Sequence, residues 1–77
     1  MSDSIIDARG QRCPGPIIAL AGAVRTLSGG TRLTLLSDDP GAETDVPAWC
    51  RLKGVQYLGP QPVEDGPGTA YLLVLPD

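Results

Sequence analysis

The sequence has no histidine, only two cysteines, and six Lys and Arg residues among 77, with no cluster of them. Without histidine no Ser-His-Asp set can be assembled, and a closed zinc site would need carboxylates for half of its four ligands. Neither triad hydrolysis nor a metal centre is expected. The few basic residues, the formal charge of −3 and a pI near 4.6 provide no footprint for phosphate contacts, so direct nucleic-acid binding is not expected and partners should be proteins. The longest apolar run, Ile17 to Val24, is too short to cross a bilayer, and Met1-Ser2-Asp3-Ser4 does not begin a basic-then-apolar leader. A cytoplasmic location is the expectation. No Gly-rich phosphate loop follows a strand in the required pattern. Cys13 and Cys50 lie far apart, and two thiols in such a chain are a poor disulfide framework.

What is present suits one small folded domain over residues 1–77. Hydrophobic residues make up 42% of the chain and charged ones 19%, too apolar for disorder. A domain of this size buries roughly 60% of the surface its unfolded chain exposes, which leaves little room for an internal active site.

The pattern predicts six elements. A first strand covers Ser4 to Ala8, and a helix runs from Pro14 to about Leu27 before Gly29-Gly30 stop it. On that helix Ile17, Leu20, Ala21, Val24 and Leu27 share an apolar stripe, with Ala19, Gly22, Ala23, Arg25 and Thr26 opposite. Thr31 to Leu36 alternates as a second strand, closed by Ser37-Asp38-Asp39. Asp39 as N-cap and Pro40 as first residue start a second helix, and Gly54 ends it. Pro47 implies a kink, or a true start only near Asp45. Ala42, Val46, Trp49 and Leu52 form its stripe, with Cys50 at the flank and Glu43, Thr44, Pro47 and Arg51 pointing away.

A third strand covers Val55 to Leu58, interrupted at Pro60 and Pro62 as a sheet edge would be, and Thr69 to Leu75 forms the last. The expected fold is α+β: a two-layer α/β sandwich, βαβαββ, with two helices packed on one face of a mixed four-stranded sheet. Both faces of the last strand are apolar, Ala70, Leu72 and Val74 on one and Tyr71, Leu73 and Leu75 on the other. Two helices can cover only one of them, so an apolar patch suited to protein contact remains on the other. Loop cover or simple exposure is the alternative.

The chemistry centres on Cys13-Pro14-Gly15-Pro16 at the mouth of the first helix. Helix entrances concentrate unpaired N–H groups and positive partial charge, which favour a thiolate over a thiol. Pro14 and Pro16 have no N–H, so Gly15 and Ile17 are the nearest main-chain donors; Pro14 also sets the first helical φ, and Gly15 leaves approach to the sulfur open. Arg9 and Arg12 supply positive charge nearby in sequence. The other fate of a free cysteine is burial as a small hydrophobe. An exposed Gly/Pro-rich entrance argues against that for Cys13, whereas a place beside Trp49 on an apolar stripe argues for it at Cys50. Asp38, Asp39 and Asp45 suggest an acid cluster, but a turn explains Asp38 and capping explains Asp39 without chemistry.

The run Asp7-Ala8-Arg9-Gly10-Gln11-Arg12-Cys13-Pro14-Gly15-Pro16 resembles the CPxP signature of the TusA/SirA family of small sulfur-carrier proteins. Ser37-Asp38-Asp39-Pro40-Gly41-Ala42 and Asp45-Val46-Pro47-Ala48-Trp49-Cys50 are similar to its second block, so the likeness spans nearly the whole chain. The resemblance implies a βαβαββ sandwich and a sulfane sulfur held as a covalent persulfide on Cys13, with no other cofactor. Loading would come from a cysteine desulfurase or rhodanese-type donor, and delivery would go to a DsrE/TusD-like or other acceptor. The pathways implied are tRNA thiolation, molybdenum-cofactor metabolism and sulfur oxidation. The chain departs from its relatives in three places. The outer face of the first helix is Ala/Gly-rich where relatives often carry lysines, Val55 follows Gly54 where many have histidine, and Pro60 and Pro62 break the third strand. Two other functions fit the residues: a redox-sensitive regulatory or adaptor module docking through its open sheet face, and delivery of sulfur to a membrane thiosulfate importer.

Overall fold

In the computed structural model, which describes residues 3–12 and 15–76, the order is βαβαββ as expected. Strand β1 is Asp3–Asp7, helix α1 Gly15–Thr26, β2 Arg32–Ser37, α2 Ala42–Lys53, β3 Gln56–Pro62 and β4 Thr69–Val74. The sheet runs β1-β2-β4-β3, with β1 parallel to β2 and β4 antiparallel to both of its neighbours. Strands β1, β2 and β3 therefore point one way, and β4 returns between β2 and β3. The first two are each followed by a helix, so both helices begin at the end of the sheet where β1 and β2 stop.

The limits of β1, β2 and β4 differ from the expected ones by one residue, and at β1 and β4 the ladder outlasts the regular strand. Ala8 N–H donates to Leu36 C=O at 2.8 Å beyond the end of β1, and Leu75 N–H donates to Thr31 C=O at 2.9 Å beyond β4. The core lies between the helices and one sheet face: Leu20 from α1, Val46, Trp49 and Cys50 from α2, and Leu33, Leu35, Tyr71 and Leu73 from the central strands. It is the mixed two-layer sandwich that the pattern implies.

Several local expectations need correction. Leu52 is 79% exposed rather than part of the stripe of α2. At 100° per residue Ala42, Val46, Trp49 and Cys50 occupy one arc and Leu52 falls well to its side, so Cys50 takes the inward place. On α1 the innermost residues are Pro16, Leu20 and Ala23, with Ile17, Ala21, Val24 and Leu27 half-buried beside them. Ala23, expected on the solvent face, is buried because α1 packs against α2 as well as the sheet.

Helix α2 begins at Ala42, with Gly41 as an N-cap that offers no side chain. Asp39 closes the preceding turn instead: its Oδ1 accepts from Gly41 N–H at 3.4 Å and its carbonyl from Ala42 N–H at 3.0 Å. The helix runs through Pro47 from Ala42 to Lys53. The carbonyl that loses its partner there belongs to exposed Glu43, where water can replace it. Gly54 ends the helix at φ 70° and donates to Cys50 C=O, as the stop signal predicts.

β3 continues across both prolines, pairing Pro60 with Tyr71 and Pro62 with Thr69 after a register shift between Tyr57 and Gly59. It is an edge strand, as expected, and uses only alternate N–H groups. Prolines two apart remove donors of a single phase, so the ladder to β4 survives.

Candidate functional site

Three loops meet at the end of the sheet where β1 and β2 stop: residues 8–12 before α1, 38–41 before α2, and 63–68 between β3 and β4. The first is stitched to the other two. Ala8 is fully buried, and Gln11 N–H folds back onto its carbonyl at 3.2 Å. Gly10, at φ 85°, donates its N–H to Asp38 Oδ1 at 2.9 Å. A side chain there would strain that turn.

Arg9 does the rest of the stitching. Its Nε and Nη2 donate to the two carboxylate oxygens of Asp7 at 3.0 and 2.9 Å, its backbone N–H to Asp7 Oδ1 at 3.1 Å, and its Nη1 to Asp65 C=O at 2.8 Å. The forked pair matches guanidinium to carboxylate geometry. These side-chain and backbone hydrogen bonds from Arg9 hold the Asp7 carboxyl down at about 2. Asp7 in turn raises the guanidinium further above its ordinary value. Arg9 thus supports the loop leading to Cys13, with its charge matched by Asp7.

The β3–β4 loop is seated by Gly68, whose φ is 103° and whose missing Cβ would stand 2.6 Å from the carbonyl oxygen of Ser37. Only glycine lets these two backbones approach so closely. Neither this contact nor the roles of Asp38 and Asp65 was foreseen. Gly66-Pro67-Gly68 is a turn-forming run by its residue types, but nothing in the sequence ties it to a residue some thirty positions earlier.

Cys13 and Pro14 lie outside the described residues. The residues on either side are placed: Gly15 opens α1 and donates its N–H to Arg12 C=O at 2.8 Å, so it is not the free donor the motif suggested. The space above Gly15 is occupied by the Gln11 side chain, whose Oε1 would lie 2.8 Å from a Cβ at that position. Gln11 therefore covers the Gly15 backbone, while the approach to the Cys13 sulfur itself lies outside the described residues. Pro16 is buried and pins the first turn to the core, while Gln11 and Arg12 are exposed. No acidic residue occupies the first turn of α1. Ile18, one turn in, is 65% exposed.

Cys50 is 1% exposed in the core, where burial pushes its thiol up from the ordinary value. Among the described residues no group of three or more Cys, Asp or Glu is arranged to hold a metal ion, and no helix is long and apolar enough to cross a membrane.

The sequence that forms this loop, helix entrance and sheet matches one known family. The model of that family, described as Sulfurtransferase TusA, matches residues 4–74. A match over nearly the whole length shows that the chain belongs to the TusA sulfurtransferase family, whose members carry sulfur between donor and acceptor proteins.

Proposed function

We propose that Cys13 is the sulfur carrier, accepting a sulfane sulfur as a persulfide and passing it to a second protein. The observation that carries this reading is the CPxP signature joining Arg12 to Gly15 at the first turn of α1, in a chain matched by the family model across residues 4–74. The surroundings favour an anion there. The first turn has no acidic residue, and helix N-termini leave N–H groups without intrahelical partners. Arg12 adds an exposed positive charge beside the motif. Pro14, Gly15 and Pro16 set the helix entrance, and Arg9 supports the loop before it.

In the proposed step the Cys13 thiolate attacks the outer sulfur of a donor persulfide. A new S–S bond forms to Cys13, the donor S–S bond breaks, and the donor leaves as a thiolate, with no net oxidation. From thiosulfate the leaving group is sulfite. An acceptor thiolate then repeats the attack on the Cys13 persulfide and restores the thiolate. The donor proposed is a cysteine desulfurase or rhodanese-type protein, and the acceptor a DsrE/TusD-like or related one. The routes served are tRNA thiolation, molybdenum-cofactor or sulfur metabolism in the cytoplasm. The persulfide is the only cofactor-like group the reading requires.

The test is mass spectrometry of the intact chain after incubation with a cysteine desulfurase and cysteine, or with thiosulfate. One added sulfur is expected in the native chain and in Cys50→Ala, and none in Cys13→Ser. Sulfur retained by Cys13→Ser, or lost from a folded Cys50→Ala, would overturn the assignment. Full cellular function in Cys13→Ser would put the adaptor reading in its place.

A further inference from the structure

The sheet face away from the helices carries a groove of about 450 Å³. Its floor is Thr34 and Leu36 of β2 and Ala70 and Leu72 of β4, with Ile5 of β1 on one side and Val63 of the β3–β4 loop overhanging the other. Ile5 is 71% exposed, an uncommon state for an isoleucine in the middle of a strand. The registers place Ile5 beside Thr34 and Thr34 beside Leu72, so this is one continuous surface across three strands.

We infer that this groove docks a segment of another protein that presents apolar side chains flanked by lysine or arginine. Charge selects that occupant. Glu64 and Asp65 line the overhang, and Asp3 and Asp7 stand on the same face of β1 as Ile5. Against these four carboxylates stand Arg32, on the same face of β2, and Arg9, whose guanidinium is bound to Asp7. The rim is net acidic, so a second copy of this chain would set like charges against each other, whereas a basic segment would be attracted.

A small polar ligand is a poorer fit. Such sites place a few buried polar groups to orient their occupant, and among the described residues no buried side-chain nitrogen or oxygen lacks a partner. The groove is also joined to the loop before α1: the Asp65 carbonyl, in its wall, accepts a hydrogen bond from Arg9, which precedes Cys13 in sequence. A partner seated here would press on the loop that presents the motif. The inference stands on the face and its charge, and does not depend on the sulfur chemistry.

The test is NMR titration of the isotope-labelled full chain with three short capped peptides, alternating lysine with leucine, glutamate with leucine, and lysine with serine. The lysine–leucine peptide is expected to shift the amides of Ile5, Leu36, Val63 and Leu72. Its binding should weaken as salt shortens the Debye length from roughly 10 Å to about 3 Å. Ile5→Ser, conservative for folding at so exposed a position, should weaken it about fivefold. Glu64→Lys should weaken it and flatten the salt dependence. Equal binding of the glutamate–leucine or lysine–serine peptide, or shifts confined to other surfaces, would overturn the proposal. So would shifts that grow with protein concentration alone, which would identify a second copy as the occupant. None of these readouts involves a persulfide, so their failure leaves the carrier reading untouched.

Discussion

Gly68 offers a direct test of how the site is held. Replacing it with alanine would place a Cβ 2.6 Å from the Ser37 carbonyl oxygen, 3.0 Å from its carbon and 3.2 Å from the Asp38 nitrogen, all backbone atoms that cannot swing aside. The residue would also be held at φ 103°, outside the range alanine favours. Strain from such backbone conformations costs about 1–3 kcal/mol, and forcing packed backbone apart about as much again, so the loss should be roughly 2–6 kcal/mol. A chain this size is expected to have about 4–12 kcal/mol of stability in all, so Gly68→Ala should lower Tm by at least about 10 °C. Two other glycines separate the contributions. Gly59 has φ 121° but nothing within 4 Å of its missing Cβ, so Gly59→Ala should cost about 1–2 kcal/mol from conformation alone. Gly22, exposed inside α1 with ordinary φ and open space, should gain about 0.5–1 kcal/mol as alanine. Urea and thermal unfolding followed by circular dichroism would rank the three. If Gly68→Ala lost no more than Gly59→Ala, the close approach of the β3–β4 loop to Ser37 and Asp38 would be refuted.

Two further outcomes follow from the charges and the buried thiol. The Asp7 carboxyl, held at about 2 by Arg9, contributes stability that is present above the ordinary carboxylate value of 3.8 and is lost as pH falls through about 2. NMR titration of its carboxyl carbon should show that midpoint, and Asp7→Asn should quicken amide exchange at Arg9 and Gly10; an ordinary midpoint would refute the pairing. Burial raises the Cys50 thiol, so the folded chain keeps a proton that the unfolded chain releases. Its contribution is complete below about pH 8.5 and is lost as pH rises through the folded value. In a Cys13→Ser background Cys50 should resist a thiol reagent until urea unfolds the chain, and Cys50→Ala should lessen the alkaline loss of stability. Tyr57 and Tyr71, which burial also raises, should contribute to the part that remains.

Much of the fold was legible because it rests on local periodicity. Alternation marked β2, an apolar run marked β4, Gly54 marked the end of α2, and the order βαβαββ followed from the sequence of such signals. What misled were positions where a local rule met a tertiary one. Pro60 and Pro62 looked like a strand's end, yet an edge strand tolerates them when both fall in the unpaired phase. Leu52 looked like part of the stripe of Ala42, Val46 and Trp49, but its angle on α2 turns it to water and gives its place to Cys50.

By itself the sequence determined the element order, the thiol-bearing signature at the entrance to α1 and the family to which these point, since each depends on residue types at short spacing. The tertiary structure decided which loops support that entrance. Asp38 binds Gly10, Arg9 reaches Asp65 and Gly68 rests on Ser37, joining residues about thirty to sixty positions apart. Contacts of that span depend on how the strands are ordered in the sheet, and β4 lies between β2 and β3 only because it returns antiparallel to both. No local pattern along the chain encodes that return.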